Sequence, residues 1–226
     1  MSWSSSRTIC ACRSKTRDRD RSGVRLGDRQ PWAGPPAHGS VRGDPEDAWG
    51  FSQRGEAYRL SERYEEAIAD FDRALELDPE DEWAISSRGQ AYRQMGRFGE
   101  AMTDLSRAVE LRPRSAWSRY QIGLVELARG HREAAERKFD EAIDVEQSLI
   151  EEFPRDAWRA FNVAVYLFAK GDVDGSFRQV RETLGQPVRV KDVRAALRDF
   201  REVRSLTGRD TADVDALLAA RLGEHG

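Results

Sequence analysis

The sequence predicts an all-α solenoid of about four helix-turn-helix units, finished by C-terminal capping helices. Three observations carry that prediction. First, Trp49, Trp83 and Trp117 stand 34 residues apart. Four more columns keep the same period: Gly55, Gly89 and Gly123; Ala67, Ala101 and Ala135; Phe71, Leu105 and Phe139; Ala74, Ala108 and Ala142. Self-similarity at a fixed period of this length marks stacked supersecondary units. Second, a proline stands four residues before each tryptophan, at Pro45, Pro79, Pro113 and, before Trp158, at Pro154. Third, apolar residues within a unit recur at spacings of three and four, which is one face of a helix.

Residues 1–43 precede the repeats and differ from them. Nine basic residues (Arg7, Arg13, Lys15, Arg17, Arg19, Arg21, Arg25, Arg29 and Arg42) face three acids (Asp18, Asp20 and Asp28). This segment therefore carries +6, and the remainder of a chain with net charge −3 carries −9. Its apolar residues are too sparse to offset the entropy of ordering, so it reads as a disordered Arg/Ser/Gly/Pro-rich tail. It lacks the continuous apolar core of about 7–15 residues that a secretory signal needs. An Arg- and Ser-rich start is also found in transit peptides, but no amphipathic helix is visible before Asp18. Two readings stay open: a solvated extension, or a basic arm that touches nucleic acid or anionic lipid. Cys10 and Cys12 read as free thiols, because a single C-x-C supplies neither four zinc ligands nor a disulfide framework. His38, His131 and His225 are far apart, so no metal site and no cofactor are expected.

The repeats occupy 44–187, in units of about 45–78, 79–112, 113–153 and 154–187. Asp44-Pro45 and Asp78-Pro79 read as an N-cap followed by a first-turn proline, whose missing N–H costs nothing there. The first helix then runs from about Asp47 to Leu60. Gly96, Gly130 and Gly171 mark the turns inside the later units, where unit one has Glu62. The second helix of unit one carries the stripe Tyr64, Ala67, Ile68, Phe71, Ala74 and Leu75. Gly55, Ala67 and Ala74 let helices approach closely, while Tyr58 and Phe71 fill the space between them. The step from Trp117 to Trp158 is 41, seven more than the period. Seven residues are about two helical turns. The absence of Gly and Pro from Arg132 to Phe153 places them in one lengthened helix. After Pro187, Val193, Leu197, Phe200 and Val203 share a helical face. Gly208 stops that helix, Asp210 or Thr211 caps the next, and Val214, Leu217 and Leu218 are its core residues. Residues 188–226 are assigned to covering the last apolar face, which a solenoid requires.

At these residues the chain resembles the tetratricopeptide repeat (TPR) family. Its pattern reads Phe51, Gly55, Tyr58, Ala67, Phe71, Ala74 and Pro79 in unit one. In unit two it reads Ile85, Gly89, Tyr92, Ala101, Leu105, Ala108 and Pro113. Unit three keeps Gly123, Ala135, Phe139 and Ala142 but has Glu126 for Tyr. Unit four has Ala164 for Gly, and Ser176, Val180 and Thr183 for Ala-Phe-Ala. Arg54 and Arg88 stand where Leu is usual. The resemblance covers about 44–187 and implies a right-handed superhelix. The low lysine content and arginine-rich phrasing resemble repeat proteins of high-GC bacteria such as actinobacteria.

The resemblance also implies where a partner binds, since the first helices of such a solenoid line its concave groove. Unit one would offer Trp49, Ser52, Glu56, Arg59 and Leu60. Unit two would offer Trp83, Ser86, Gln90, Arg93 and Gln94. Unit three would offer Trp117, Tyr120, Leu124, Leu127 and Ala128, and unit four Trp158, Phe161, Val165, Phe168 and Ala169. The first half of this surface is polar and the second apolar. An apolar face of that size is a liability if left open. We expect units three and four to be covered by the C-terminal helices or by self-association, leaving units one and two open. The tryptophans read either as binding anchors or as packing at helix starts. Arg59 and Arg93 read either as holders of an acidic peptide or as a solvated face paired to Glu56 or Glu62. Some family members clamp a terminal carboxylate with Lys, Asn and Arg. The corresponding places here hold Ser52, Glu56, Ser87, Trp117 and Gln121, so that clamp is not expected.

Other function classes find little support. The longest nearly apolar stretch, Phe161 to Ala169, falls short of the roughly 20 residues of a membrane span. The net charge gives no global reason to expect nucleic acid. No phosphate-binding loop, nucleophile elbow or zinc-protease motif occurs, so no catalysis is expected. The leading expectation is a cytoplasmic, non-catalytic adaptor that binds a peptide or protein partner in its groove. The alternatives are a nucleic-acid-associated regulator using the basic tail, and a detached sensor or scaffold part of a larger bacterial NTPase-type signalling system.

Overall fold

A computed structural model describes residues 47–154 and 156–223. The disordered-tail reading of 1–43 and the Asp44-Pro45 cap lie outside the described residues. Ten helices follow in order: α1 (Ala48–Leu60), α2 (Tyr64–Leu77), α3 (Glu82–Gln94), α4 (Phe98–Leu111), α5 (Ala116–Ala128), α6 (Arg132–Glu152), α7 (Ala157–Lys170), α8 (Val173–Leu184), α9 (Val190–Thr207) and α10 (Ala212–Gly223). No strand occurs among the described residues. Each helix of α1–α8 packs on the next, giving a solenoid of four helix pairs.

The helix starts differ from the sequence reading. Asp78 does not cap α3; it is the C-cap of α2. The cap of α3 is Asp81, which accepts hydrogen bonds from the backbone N–H groups of Trp83 and Ala84. Asp47 does the same for Gly50 at 2.6 Å, and Ser115 for Ser118 at 3.4 Å. Thus Asp47, Asp81 and Ser115 form a capping column with the 34-residue period, three residues later than the Asp-Pro pairs. Physically, the first helical N–H groups need an acceptor one turn back, and these side chains provide it.

The turns match the glycine reading. Gly96, Gly130 and Gly171 have φ of 74, 81 and 109°, and Glu62 adopts 59° in their place. The extra seven residues lengthen α6 to 21 residues, against 14 in α2 and α4.

The small-residue column has a direct steric cause. A Cβ on Gly55 would lie 2.9 Å from Phe71, one on Gly89 2.9 Å from Leu105, and one on Gly123 2.5 Å from Phe139. Unit four keeps the fit by exchanging both partners. Ala164 replaces glycine and Val180 replaces the aromatic, and both are fully buried.

Arg54 and Arg88, in place of leucine, are also explained. Arg54 forms a two-pronged pair with Asp70, both contacts 2.6 Å, and Arg88 one with Asp104, both 2.8 Å. Arg88 adds Asp72 of the preceding unit at 2.6 Å, tying units one and two together. Asp104 and Asp72, with burial opposing them, hold the Arg88 guanidinium well above its ordinary range. Fork-to-carboxylate geometry of this kind is the strong form of an ion pair.

Helix α9 leaves the repeat pattern and packs on α7, and α10 packs on α9 and α8. Gly208, with φ of 68°, ends α9 as expected. Arg209 then donates to the carbonyls of Phe168 and Ala169 at the end of α7, at 3.2 and 2.8 Å. That contact gives the last turn of α7 the partners its carbonyls lack.

Candidate functional site

The apolar half of the predicted groove is occupied. Leu124, Phe161, Val165 and Phe168 share one buried core with Val193, Ala196, Leu197, Phe200 and Val203 of α9. Phe168 and Phe200 meet edge to face at 5.4 Å. The covering element expected from the sequence is therefore α9 of the same chain. Of the expected lining residues, Leu127 is partly buried and Ala128 remains exposed.

The polar half is altered by the same helix. Arg93 is 5% exposed. Its Nε donates to Gln121 Oε1 at 3.0 Å, and its Nη2 pairs with Glu202 of α9. Arg59 is buried as well. Its guanidinium grips Glu56 through Nε and Nη2 at 2.8 and 2.7 Å, and Nη1 reaches Gln94 at 3.2 Å. Burial works to lower the Arg59 pKa, but the Glu56 hydrogen bond and charge outweigh it and leave it raised. So Arg59 pairs with Glu56 as one reading held, but its guanidinium is buried while Glu56 stays partly exposed. Arg93 pairs with neither Glu56 nor Glu62; its partner lies 109 residues away.

Most other predicted groove residues are not presented to solvent. Ser52 donates to Asp81 at 3.3 Å and Ser86 to the Trp83 carbonyl at 3.1 Å, and both are buried, as is Gln90. Trp83 is 7% exposed and packs edge-on against Phe71 of the preceding unit at 6.3 Å. Here the tryptophan packs between units. Trp117 leans on Tyr120 at 5.5 Å, and Tyr120 stacks on Tyr166 at 4.5 Å. The hydroxyls of Tyr120 and Tyr166 are buried without a hydrogen-bond partner among the described residues. Their neighbour Asp199, on α9, is pushed up to about 7 by burial.

Trp49 and Glu56 stay accessible, and Leu60 joins them. Trp49 and Leu60 are each 51% exposed. Residues 49, 53, 56 and 60 fall within about one-sixth of a turn around α1 at 100° per residue. Unit one has no preceding unit among the described residues, so the face that Trp83 buries in unit two is open here. Sequence reasoning named both apolar residues among the groove candidates; what sets Trp49 apart from Trp83 and Trp117 is that it stands first in its column.

Among the described residues no three His, Cys, Asp or Glu side chains could hold a metal ion. No described helix is long and apolar enough to cross a membrane. An open groove of about 650 Å³ between α8 and α10 is lined by Val173, Phe177, Arg178, Arg181, Asp210 and Val214.

Stacked helix pairs around a shared core define an α-helical repeat protein. Residues 55–96 and 89–130 match the family model described as TPR repeat. Several solved structures are similar. The first TPR of Spaghetti (RPAP3) bound to the HSP90 peptide SRMEEVD is 22% identical with a TM-score of 0.43, over 48% of this chain and 86% of that one. The NMR structure of the first TPR domain of human RPAP3 is 18% identical with a TM-score of 0.45, over 64% of this chain and 100% of that one. A mutant O-GlcNAc transferase of Thermobaculum terrenum is 20% identical with a TM-score of 0.46, over 60% of this chain but 25% of that one. No curated protein matches the chain.

Proposed function

We propose that the protein is a non-catalytic scaffold that binds a segment of a partner protein along the open face of α1. The observation that carries this reading is the pair Trp49 and Leu60, each 51% exposed on one helical face. They stand eleven residues apart, about 16 Å along the helix. In unit two the equivalent of Trp49 buries itself on its neighbour. The α1 face thus has the chemistry of an interface without an occupant among the described residues. Glu56, held by Arg59, fixes a charge between the two apolar ends. An amphipathic helix with apolar residues near its ends suits such a surface.

A photo-crosslinking amino acid tests this in cells. It replaces Gln53, midway along the face, or Glu76, on the exposed end of α2. The expected result is a discrete adduct from position 53, none from position 76, and loss of the adduct in W49A/L60A with helicity retained. No adduct at 53, or equal adducts at both positions, refutes the α1 site.

A further inference from the structure

The solvent face of α9 breaks the charge rule that governs α1–α7. In α1–α7 nearly every described arginine and lysine has a carboxylate within reach. Arg63–Glu66, Arg73–Glu76, Arg97–Glu100, Arg107–Glu110 and Lys138–Glu141 repeat one device, a basic residue three positions before an acid. Helix α9 does the opposite. Lys191, Arg194, Arg198, Arg201 and Arg204 are all exposed. Their spacings of three and four place them on one side of the helix. Lys191, Arg194, Arg201 and Arg204 have no carboxylate partner among the described residues, and Arg198 has only its neighbour Asp199 at 3.6 Å.

The acids of α9 are spent elsewhere. Asp192 is buried and held by Arg189 at 2.6 Å, Asp199 is buried, and Glu202 is turned to Arg93. One helix thus sends its carboxylates inward and its cations outward. Like charges at these spacings oppose helix formation, so the arrangement works against the helix that carries it.

We infer that the outer face of α9 is a docking strip for an acidic helical segment of another protein. Lys191 to Arg204 spans fourteen residues, about 20 Å. The rise per turn fixes the cations in a row that glutamates at matching spacings of three and four can meet. The length of the strip and the charge around it select the partner. Residues 44–226 carry −9 overall. A segment of about fourteen residues with acids at these spacings matches the strip in length and in charge. This inference rests on the scaffold reading but uses a surface separate from the α1 face.

The test uses the full chain and a fluorescent 21-residue peptide with glutamates at alternating spacings of three and four. Two comparison ligands accompany it: a scrambled peptide of the same composition and a 12-nucleotide single-stranded DNA. At low salt the Debye length exceeds 10 Å and the strip is felt at full strength. The expected result is saturable binding of the patterned peptide, weakened at least tenfold in R194E/R198E/R201E. A lysine version of the peptide should bind that variant in turn. Arg73→Glu, on an exposed paired residue of α2, and W49A/L60A should leave binding unchanged. All the replaced side chains in the triple variant are exposed, and circular dichroism checks that its helices remain. Equal binding by wild type and triple variant overturns the inference, as does equal binding of the scrambled peptide. DNA that binds more tightly than the patterned peptide overturns it in favour of a nucleic-acid surface. Loss of binding in W49A/L60A would place the peptide on α1 instead.

Discussion

Replacing Asp199 with asparagine should stabilise the protein, and the gain should grow with pH. Asp199 sits on the inner side of α9, buried against the solenoid, and burial lifts its carboxyl from 3.8 to about 7. Glu202, beside it on α9, adds to the rise; Arg198 on the same helix and Arg59 on α1 oppose it. The direction follows from linkage. A group whose folded pKa is raised contributes most to stability below its unfolded pKa, and loses that contribution as pH rises through the folded value. The window therefore runs from about 4 to about 7, at about 1.4 kcal/mol per pH unit, and totals about 4 kcal/mol. Asparagine keeps the shape and has no charge to desolvate. Urea unfolding of wild type and Asp199→Asn at pH 5 and pH 8 measures the difference. The advantage of the variant should increase by about 2.5 kcal/mol between the two. Asp81, Glu82 and Glu146 are also raised by burial, but they are common to both proteins and cancel in the comparison. A difference that does not change with pH, or a variant less stable at pH 8, would show that Asp199 is not held in a desolvated site.

Three further outcomes follow from the geometry. Glu62→Gly relieves the left-handed backbone at φ 59° and should add about 1 kcal/mol, or roughly 2–4 °C in a thermal melt; no gain would mean the turn is already relaxed. Gly123→Ala puts a methyl group 2.5 Å from Phe139 and should cost about 1–3 kcal/mol, while Gly99→Ala on α4, which meets nothing within 4 Å, should be neutral or gain up to about 1 kcal/mol. Phe200→Ala removes a fully buried ring that touches Phe168 and should cost about 3–5 kcal/mol. Hydrogen exchange should then quicken in α9 and α7 before α1–α4; uniform acceleration would show that α9 does not open separately.

The repeat was legible because stacking identical units demands identical contacts. Gly55, Gly89 and Gly123 recur because each faces a large side chain at the same distance, so the steric cause leaves a period in the sequence. The caps were legible too, but the stronger local signal of Asp78-Pro79 hid the column Asp47, Asp81 and Ser115. A proline begins a turn as readily as a helix, and here Asp78 to Asp81 is the turn, closed by a backbone hydrogen bond of 3.2 Å. The ion pairs Arg54–Asp70 and Arg88–Asp104 also kept the period and could have been found by aligning charges as well as apolar residues.

The site was less legible because it depends on where α9 lies. The spacing of Val193, Leu197, Phe200 and Val203 shows that the helix buries one face, but the same stripe would serve a cap on the end of unit four or a helix laid on α7. The discriminating contacts are Arg93–Glu202 and Phe168–Phe200, and they join positions whose sequence separation has no period. The same placement decides how the concave surface can work. It fills units three and four, neutralises Arg93, and turns a largely unpaired row of cations outward. The proposed partner surfaces are therefore the α1 edge and the back of α9. The groove arginines lie beneath those surfaces, already satisfied by carboxylates of their own chain.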